Sequence, residues 1–383
     1  MTTAVCARQL FDGERWLADH ALILKDDLIQ AVLPAKLLPA DITKIDLGNG
    51  TLAPGLIDIQ VNGGGDVMLN NQPTADGVQR IAAGHRRFGT TGLLPTVISD
   101  TRNTQQAAAT AVGQARANGS AGVLGLHIEG PFFDMQRRGT HNADMIRPME
   151  DADIQWLTKI NEFPVVLTLA PEHTVPGQMR QLADAGLLLC AGHTDADYDC
   201  IQAAIAEGLR GFTHLFNAMK PLTSREPGTV GAALESPDTW AGIIVDGHHV
   251  HPATIRLALR TKAPGKLLLV SDAMSTVGGK QDSFEIYGER IAQRDGRLVN
   301  AEGNLAGSAI ALIDAVRIGH EQVGIELGEC LRMASLYPAQ FLKLEHQLGR
   351  LQEGFRADMM CFTSNYAVTD TWVAGEHQRH AEQ

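Results

Sequence analysis

Along most of this chain a short apolar run is followed by a turn and then by a longer stretch whose apolar positions fall three and four apart. Eight apolar runs read as strands, at 55–61, 92–98, 122–128, 164–170, 187–192, 210–215, 241–246 and 267–271. Helical spacing is clearest at 74–88, 104–118, 196–208, 252–262 and 309–323, and it is weak between the sixth and seventh runs. This order predicts repeated βα units around a parallel sheet, and eight strands is the number that closes a barrel. The chain ends differ. Short β-like pieces at 22–24, 28–33 and 45–50 are matched by similar ones at 349–354 and 358–362, which predicts one small β module assembled from both termini. The segment 273–307 breaks the rhythm with Gly278-Gly279, Tyr287-Gly288 and Asp295-Gly296, and reads as a β-hairpin insertion beside the active face.

In a parallel barrel the reacting groups lie where strands end and loops begin. The residues at those exits are Gln60, Asn62, Thr96, Glu129, Glu172, His193, His214, His249 and Asp272. Glu129, His193 and His214 follow three separate strands. One carboxylate and two imidazoles can hold a single divalent metal and leave a position for water, which is what a hydrolytic centre needs. A lone histidine at a strand end is more often structural, so the weight rests on the trio. Asp272 reads either as an acid/base group at the eighth exit or as a helix cap before Ala273. His127, two positions before Glu129, points to the same side of a regular strand. Gly63-Gly64-Gly65 is followed by no phosphate-binding fingerprint and reads as a flexible loop near the metal. Glu172 and Thr96 take no role from the sequence.

Composition narrows the partners. A formal net charge of -12 argues against nucleic acid or an anionic membrane surface, and leaves room for a small anionic substrate held by local cations. Five scattered cysteines without a Cys-x-x-Cys pair look like reduced thiols. The first residues show no basic segment followed by an apolar stretch, and no run of about 18 apolar residues occurs, so a cytoplasmic protein with no membrane partner is expected.

Pro54-Gly55-Leu56-Ile57-Asp58, His127-Ile128-Glu129-Gly130-Pro131-Phe132, Gly192-His193-Thr194, Thr213-His214-Leu215-Phe216-Asn217-Ala218-Met219 and Ser271-Asp272-Ala273 occur in that order. The series resembles the amidohydrolase superfamily, and within it the branch that deacetylates amino-sugar phosphates. The likeness extends through Gly139-Thr140-His141-Asn142, Arg225-Glu226-Pro227-Gly228 and Leu305-Ala306-Gly307-Ser308, and so spans nearly the whole chain. It implies a (β/α)8 TIM-type barrel over 53–345 and a small β-sandwich domain from 1–52 and 346–383. It also implies hydrolysis of N-acetyl-D-glucosamine 6-phosphate to D-glucosamine 6-phosphate and acetate. The galactosamine epimer as substrate, and a non-catalytic sugar-phosphate sensor, are the alternatives.

Carried over position by position, Glu129, His193 and His214 look like ligands of one Zn²⁺, Fe²⁺ or Mn²⁺, and Asp272 like the acid/base. Thr140, His141, Asn217, Ala218, His249 and the backbone of Ala306, Gly307 and Ser308 look like substrate contacts. Arg225, which by itself reads more readily as a surface cation, is expected from the resemblance to reach the phosphate held by a neighbouring subunit of a homo-oligomer, a dimer or a dimer of dimers. One departure stands out. The wider superfamily carries His-x-His at the first exit, where this chain has Gln60-Val61-Asn62. Carboxamides are poor ligands for such metals, so the second metal position is expected to be vacant.

Overall fold

The eight apolar runs become eight parallel strands, at Leu56–Val61, Thr90–Ile98, Leu126–Glu129, Val165–Leu169, Leu188–Ala191, Leu209–Phe212, Trp240–Ile244 and Leu267–Val270. Each pairs with the next in chain order. They are called the first to eighth barrel strands below. The structure is a computed structural model and describes residues 2–301, 303 and 305–381. The circle closes just past the strand ends, where Asn62 N–H donates to Ala273 O at 2.9 Å and Asp272 N–H to Gln60 O at 3.1 Å. Every residue of the first and second strands is buried, as expected for a parallel sheet covered on both faces.

The five expected helices form at Ala75–Arg86, Arg102–Ala117, Tyr198–Ala206, Pro252–Thr261 and Leu312–Ile318. Side-chain caps fix four of their starts: Thr74 accepts from Gly77 N–H, Thr101 from Thr104 N–H, Asp197 from Cys200 N–H and His251 from Ala253 N–H. Between the sixth and seventh strands lies the short helix Gly228–Glu235, buried from Gly228 through Ala233. A helix apolar all round has no amphipathic period to read. Lys262 closes its C-terminal end, with Nζ 2.7 Å from Ala233 O and 2.6 Å from Ser236 O. Asp151–Leu157 and Gln178–Asp184, seven residues each, are too short for periodicity to reveal.

The terminal module is more extensive than its sequence texture. Thr2–Phe11 and Trp16–Lys25 are long antiparallel strands, and the sheet continues through Thr51–Pro54 to Met359–Phe362, Val368–Val373 and Glu376–Arg379. Thr2–Phe11 is the branch point: it pairs with Trp16–Lys25 and also, in parallel, with Thr43–Asp46 and Thr51–Pro54. The folded sheet encloses its own apolar cluster, including Val5, Leu22, Ile29, Leu52, Met359 and Trp372.

Two expectations near the barrel mouth change. The insertion is a three-stranded meander, Ser283–Ile286, Glu289–Arg294 and Arg297–Val299, rather than a hairpin. Its middle strand is mostly polar and carries little apolar signal. Gly63-Gly64-Gly65 is not a flexible loop: Gly63–Gly64 pairs with Val67–Met68, and a Cβ on Gly64 would lie 2.7 Å from the His85 ring. Glycine is required there for close approach.

One ionic knot anchors the loop after the third strand, which carries Thr140 and His141. The Asp153 side chain is 0% exposed and accepts from Arg147 at 2.6 and 2.8 Å, from Arg102 Nε at 2.7 Å and from Glu150 N–H at 2.9 Å. Those donors outweigh the effect of burial and hold its carboxyl well below the usual carboxylate range. A depressed folded-state pKa contributes stability above the unfolded value near 3.9, and that stability disappears as pH falls through the folded value. Asp153→Asn should therefore lower stability by about 2–3 kcal/mol at neutral pH. In urea titrations the gap from the unsubstituted protein should narrow below about pH 4; a gap unchanged by pH would show that the carboxylate charge is not what holds this loop.

Candidate metal centre and cleft

The strand exits converge as the barrel requires. Glu129 Oε1 lies 3.3 Å from His193 Nε2 and 3.1 Å from His214 Nε2, and the two imidazole nitrogens are 3.0 Å apart. All three side chains are buried. Metal–ligand bonds of the usual length at tetrahedral or octahedral angles place neighbouring ligand atoms about 2.9–3.5 Å apart. The trio therefore fits a divalent cation in spacing as well as in chemistry. Arg137 O accepts from His193 Nδ1 at 2.9 Å, which leaves the Nε2 lone pair directed at Glu129.

The protonation tendencies agree. Burial alone would raise Glu129, yet its close pairing with His193 and His214 holds it well below the usual carboxylate range. Burial lowers His193, whereas the pairing with Glu129 overcomes burial at His214 and raises it. A buried carboxylate facing two ring nitrogens demands a positive charge among them.

Backbone conformation brings these groups together. His193, His214 and Asp272 have φ of 51°, 33° and 52°, in the left-handed region that side chains other than glycine rarely occupy. Each such residue stores about 1–3 kcal/mol, held by the surrounding barrel. The turn lets a strand end aim its side chain inward instead of continuing the alternation.

Asp272 stands apart from the trio electrostatically. Burial pushes it up to about 6, the negative charge of Glu129 adds to this, and His214, Asn62 and His249 oppose it. Gln60 Nε2 donates to Glu129 Oε1 at 3.1 Å and to Asp272 Oδ1 at 3.2 Å, and Asn62 Nδ2 donates to the same Asp272 oxygen at 2.6 Å. The two amides thus offer hydrogens to the carboxylates.

A cleft of about 200 Å³ opens above, lined by these carboxylates and histidines together with Thr140, His141, Asn217, Ala218, His249, Leu305 and Gly307. Ser99 N–H donates to His141 Nδ1 at 3.3 Å, and burial pushes this ring down to about 3. The neutral ring therefore carries its hydrogen on Nε2. Of the expected backbone contacts, Gly307 lines the cleft, while Ala306 and Ser308 do not. The N–H of Ala306 donates to Leu298 O and that of Ser308 to Asp272 O, so both brace the insertion against the eighth strand. Arg225 is exposed and away from the cleft lining of its own chain.

Several residues gain roles that the sequence did not supply. Glu172 accepts from Thr194 Oγ1 and Asp195 N–H at 2.5 and 2.6 Å, supporting the turn after His193. His127, pushed down to about 4 by burial, bridges Thr96 and Thr168 inside the barrel beneath Glu129. Tyr287, from the insertion, donates its hydroxyl to Ser99 O and so ties the insertion to the residue that orients His141. Ser99 and Tyr287 carried no signal in the chain, because each acts through a partner fixed only by folding. His248 is exposed, and His251 caps the helix Pro252–Thr261.

The chain belongs to the amidohydrolase family: the family's sequence model matches residues 51–377, and a model described as the NagA composite domain matches residues 4–52. Its relatives make the likeness more particular. It is 40% identical over 388 residues to the N-acetylgalactosamine-6-phosphate deacetylase of Shewanella sp. (strain ANA-3), covering 100% of this chain and 97% of that one. It is 33% identical over 363 residues to the N-acetylglucosamine-6-phosphate deacetylase of Haemophilus influenzae, covering 94% and 95%. The crystal structure of N-acetylglucosamine-6-phosphate deacetylase from Pasteurella multocida superposes with a TM-score of 0.96 at 34% identity, over 99% of this chain and 100% of that one. Among the described residues no helix is long and apolar enough to cross a membrane.

Proposed function

We propose that this protein hydrolyses N-acetyl-D-glucosamine 6-phosphate to D-glucosamine 6-phosphate and acetate, as a cytoplasmic enzyme of amino-sugar catabolism. The observation that carries the reading is the convergence of Glu129, His193 and His214 beside a separately held carboxyl, Asp272, at the floor of one cleft. Deacetylase relatives spanning nearly the whole chain support it. A second reading, the galactosamine epimer as substrate, is favoured by the relative that is 40% identical. Comparing acetate release from the two sugar phosphates decides between them; a protein that binds either one and releases no acetate is a sensor instead.

Glu129, His193 and His214 are the proposed ligands of one divalent ion, Zn²⁺, Fe²⁺ or Mn²⁺. When bound, it supplies the Lewis acidity that makes water a usable nucleophile near neutral pH. Asp272 takes the proton from the attacking water and later delivers it to the departing nitrogen, since an amine leaves only when protonated. His141 offers its Nε2–H to the acetyl oxygen as negative charge develops there. Thr140, Asn217, Ala218, His249 and Gly307, which line the cleft, are the proposed contacts to the sugar phosphate. The amide hydrogens of Gln60 and Asn62 point at carboxylates, which favours a single ion per subunit. Arg225, exposed on its own chain, suits a phosphate bound in a neighbouring subunit of a dimer or a dimer of dimers.

Prolonged chelation should abolish acetate release, and elemental analysis of the restored protein should find one divalent ion per chain. Two ions per chain would refute the single-ion site. Asp272→Asn should retain metal and ligand while kcat falls by roughly 10²–10⁴-fold; near-normal turnover removes its acid/base role. Arg225→Ala should raise KM for the phosphorylated sugar by about tenfold or more, and far less for the unphosphorylated one. Equal changes for both sugars exclude a phosphate contact.

A further inference from the structure

Asp246 lies two residues past the end of the seventh strand, with its side chain 4% exposed. Its Oδ1 accepts from the backbone N–H groups of His248 and His249 at 2.8 and 2.9 Å, and its Oδ2 lies 2.6 Å from His249 Nδ1. Burial alone would raise this carboxyl, but His249 and the two N–H groups outweigh it and hold it down at about 2. An ionised carboxylate only accepts, so Nδ1 of His249 carries a hydrogen. The nitrogen left for the cleft is Nε2.

The other imidazoles of the lining are committed. His193 and His214 turn Nε2 toward Glu129, and His141 accepts from Ser99 through Nδ1. Among the described residues lining the cleft there is no lysine or arginine. His249 is thus the ring with a carboxylate behind it and a nitrogen toward the ligand. The buried carboxylate on Nδ1 fixes the plane of the ring and the edge that it turns to the cleft.

We propose that Asp246 is a positioning residue for anion recognition, tying down His249 Nδ1–H so that the Nε2 edge of the ring is presented to the phosphate of the substrate. This rests on the sugar-phosphate reading above. Asp246→Asn keeps an oxygen for the two backbone donors but faces Nδ1 with an amide N–H. The ring then loses the acceptor that orients it.

Steady-state acetate release is measured for Asp246→Asn, His249→Gln and the double variant, on phosphorylated and unphosphorylated N-acetylglucosamine. Asp246→Asn should raise KM for the phosphorylated sugar by about tenfold, with a several-fold smaller effect on the unphosphorylated one. In the His249→Gln background it should add nothing. Equal losses on both sugars, or full additivity in the double variant, overturn the proposal. Side-chain nitrogen NMR of the unsubstituted metal-loaded protein with inorganic phosphate gives an arm independent of turnover and of variant folding. One ring, identified by its loss in His249→Gln, should carry a hydrogen on Nδ1 and respond to phosphate at Nε2, and an unprotonated Nδ1 or an unmoved Nε2 there overturns the assignment. If neither sugar phosphate is deacetylated by the unsubstituted protein, the functional reading fails while the NMR arm still decides how Asp246 sets His249.

Discussion

A carboxylate buried between two imidazoles is the constraint on which the upper face of this barrel depends. Glu129, His193 and His214 bring three acceptor atoms within 3.3 Å of one another. Three lone-pair donors held that close, away from water, repel unless a positive charge sits among them. The barrel opposes this repulsion with many individually ordinary contacts. Arg137 O fixes one ring, Glu172 braces the turn beyond it, and the His127–Thr168 hydrogen bond ties the strands beneath. The left-handed backbone at His193, His214 and Asp272 is the local cost of aiming three strand ends at one point.

Environment gives two nearby carboxylates opposite tendencies. Glu129 is held low by the imidazoles it faces, whereas Asp272 is pushed up to about 6 by burial and by Glu129 itself. A group held permanently ionised suits cation binding, and one poised near neutrality suits proton transfer. The same logic separates the histidines. His141, deeply buried and accepting from a backbone N–H, stays neutral and can only offer Nε2–H to the cleft. His249 instead has the Asp246 carboxylate behind its Nδ1. Four imidazoles in one cleft thus have different chemistry because different atoms stand behind them.

The parts of this design that follow chain periodicity were legible in the sequence. Eight apolar runs located eight strands, and the ligand-type residues at their ends located Glu129, His193, His214 and Asp272, because strand direction alone puts those ends on one rim. What escaped were features that depend on contacts between distant positions. Ser99 meets His141 across 42 residues and Tyr287 meets Ser99 across 188, and neither separation leaves a pattern in the chain. Gly228–Glu235 escaped for a different reason: buried on every side, it lacks the polar face that marks an ordinary helix. The glycines at 63–65 were misjudged as flexible because glycine serves mobility and close packing alike, and only the position of the His85 ring separates the two.

The first strand exit shows how a small change of residue type redirects the centre. Imidazoles at positions 60 and 62 would turn lone pairs toward a second cation; the amides there turn hydrogens toward Glu129 and Asp272 instead. Both amide bonds to Asp272 fall on Oδ1, so Oδ2 is the oxygen left for the cleft. Donors to one oxygen fix the plane of the carboxyl without occupying the other, and they partly offset the destabilisation that burial and Glu129 impose on its charged form. Gln60 and Asn62 therefore act as donors to the two carboxylates, and they orient the Asp272 carboxyl through Oδ1 while leaving Oδ2 unengaged by either amide.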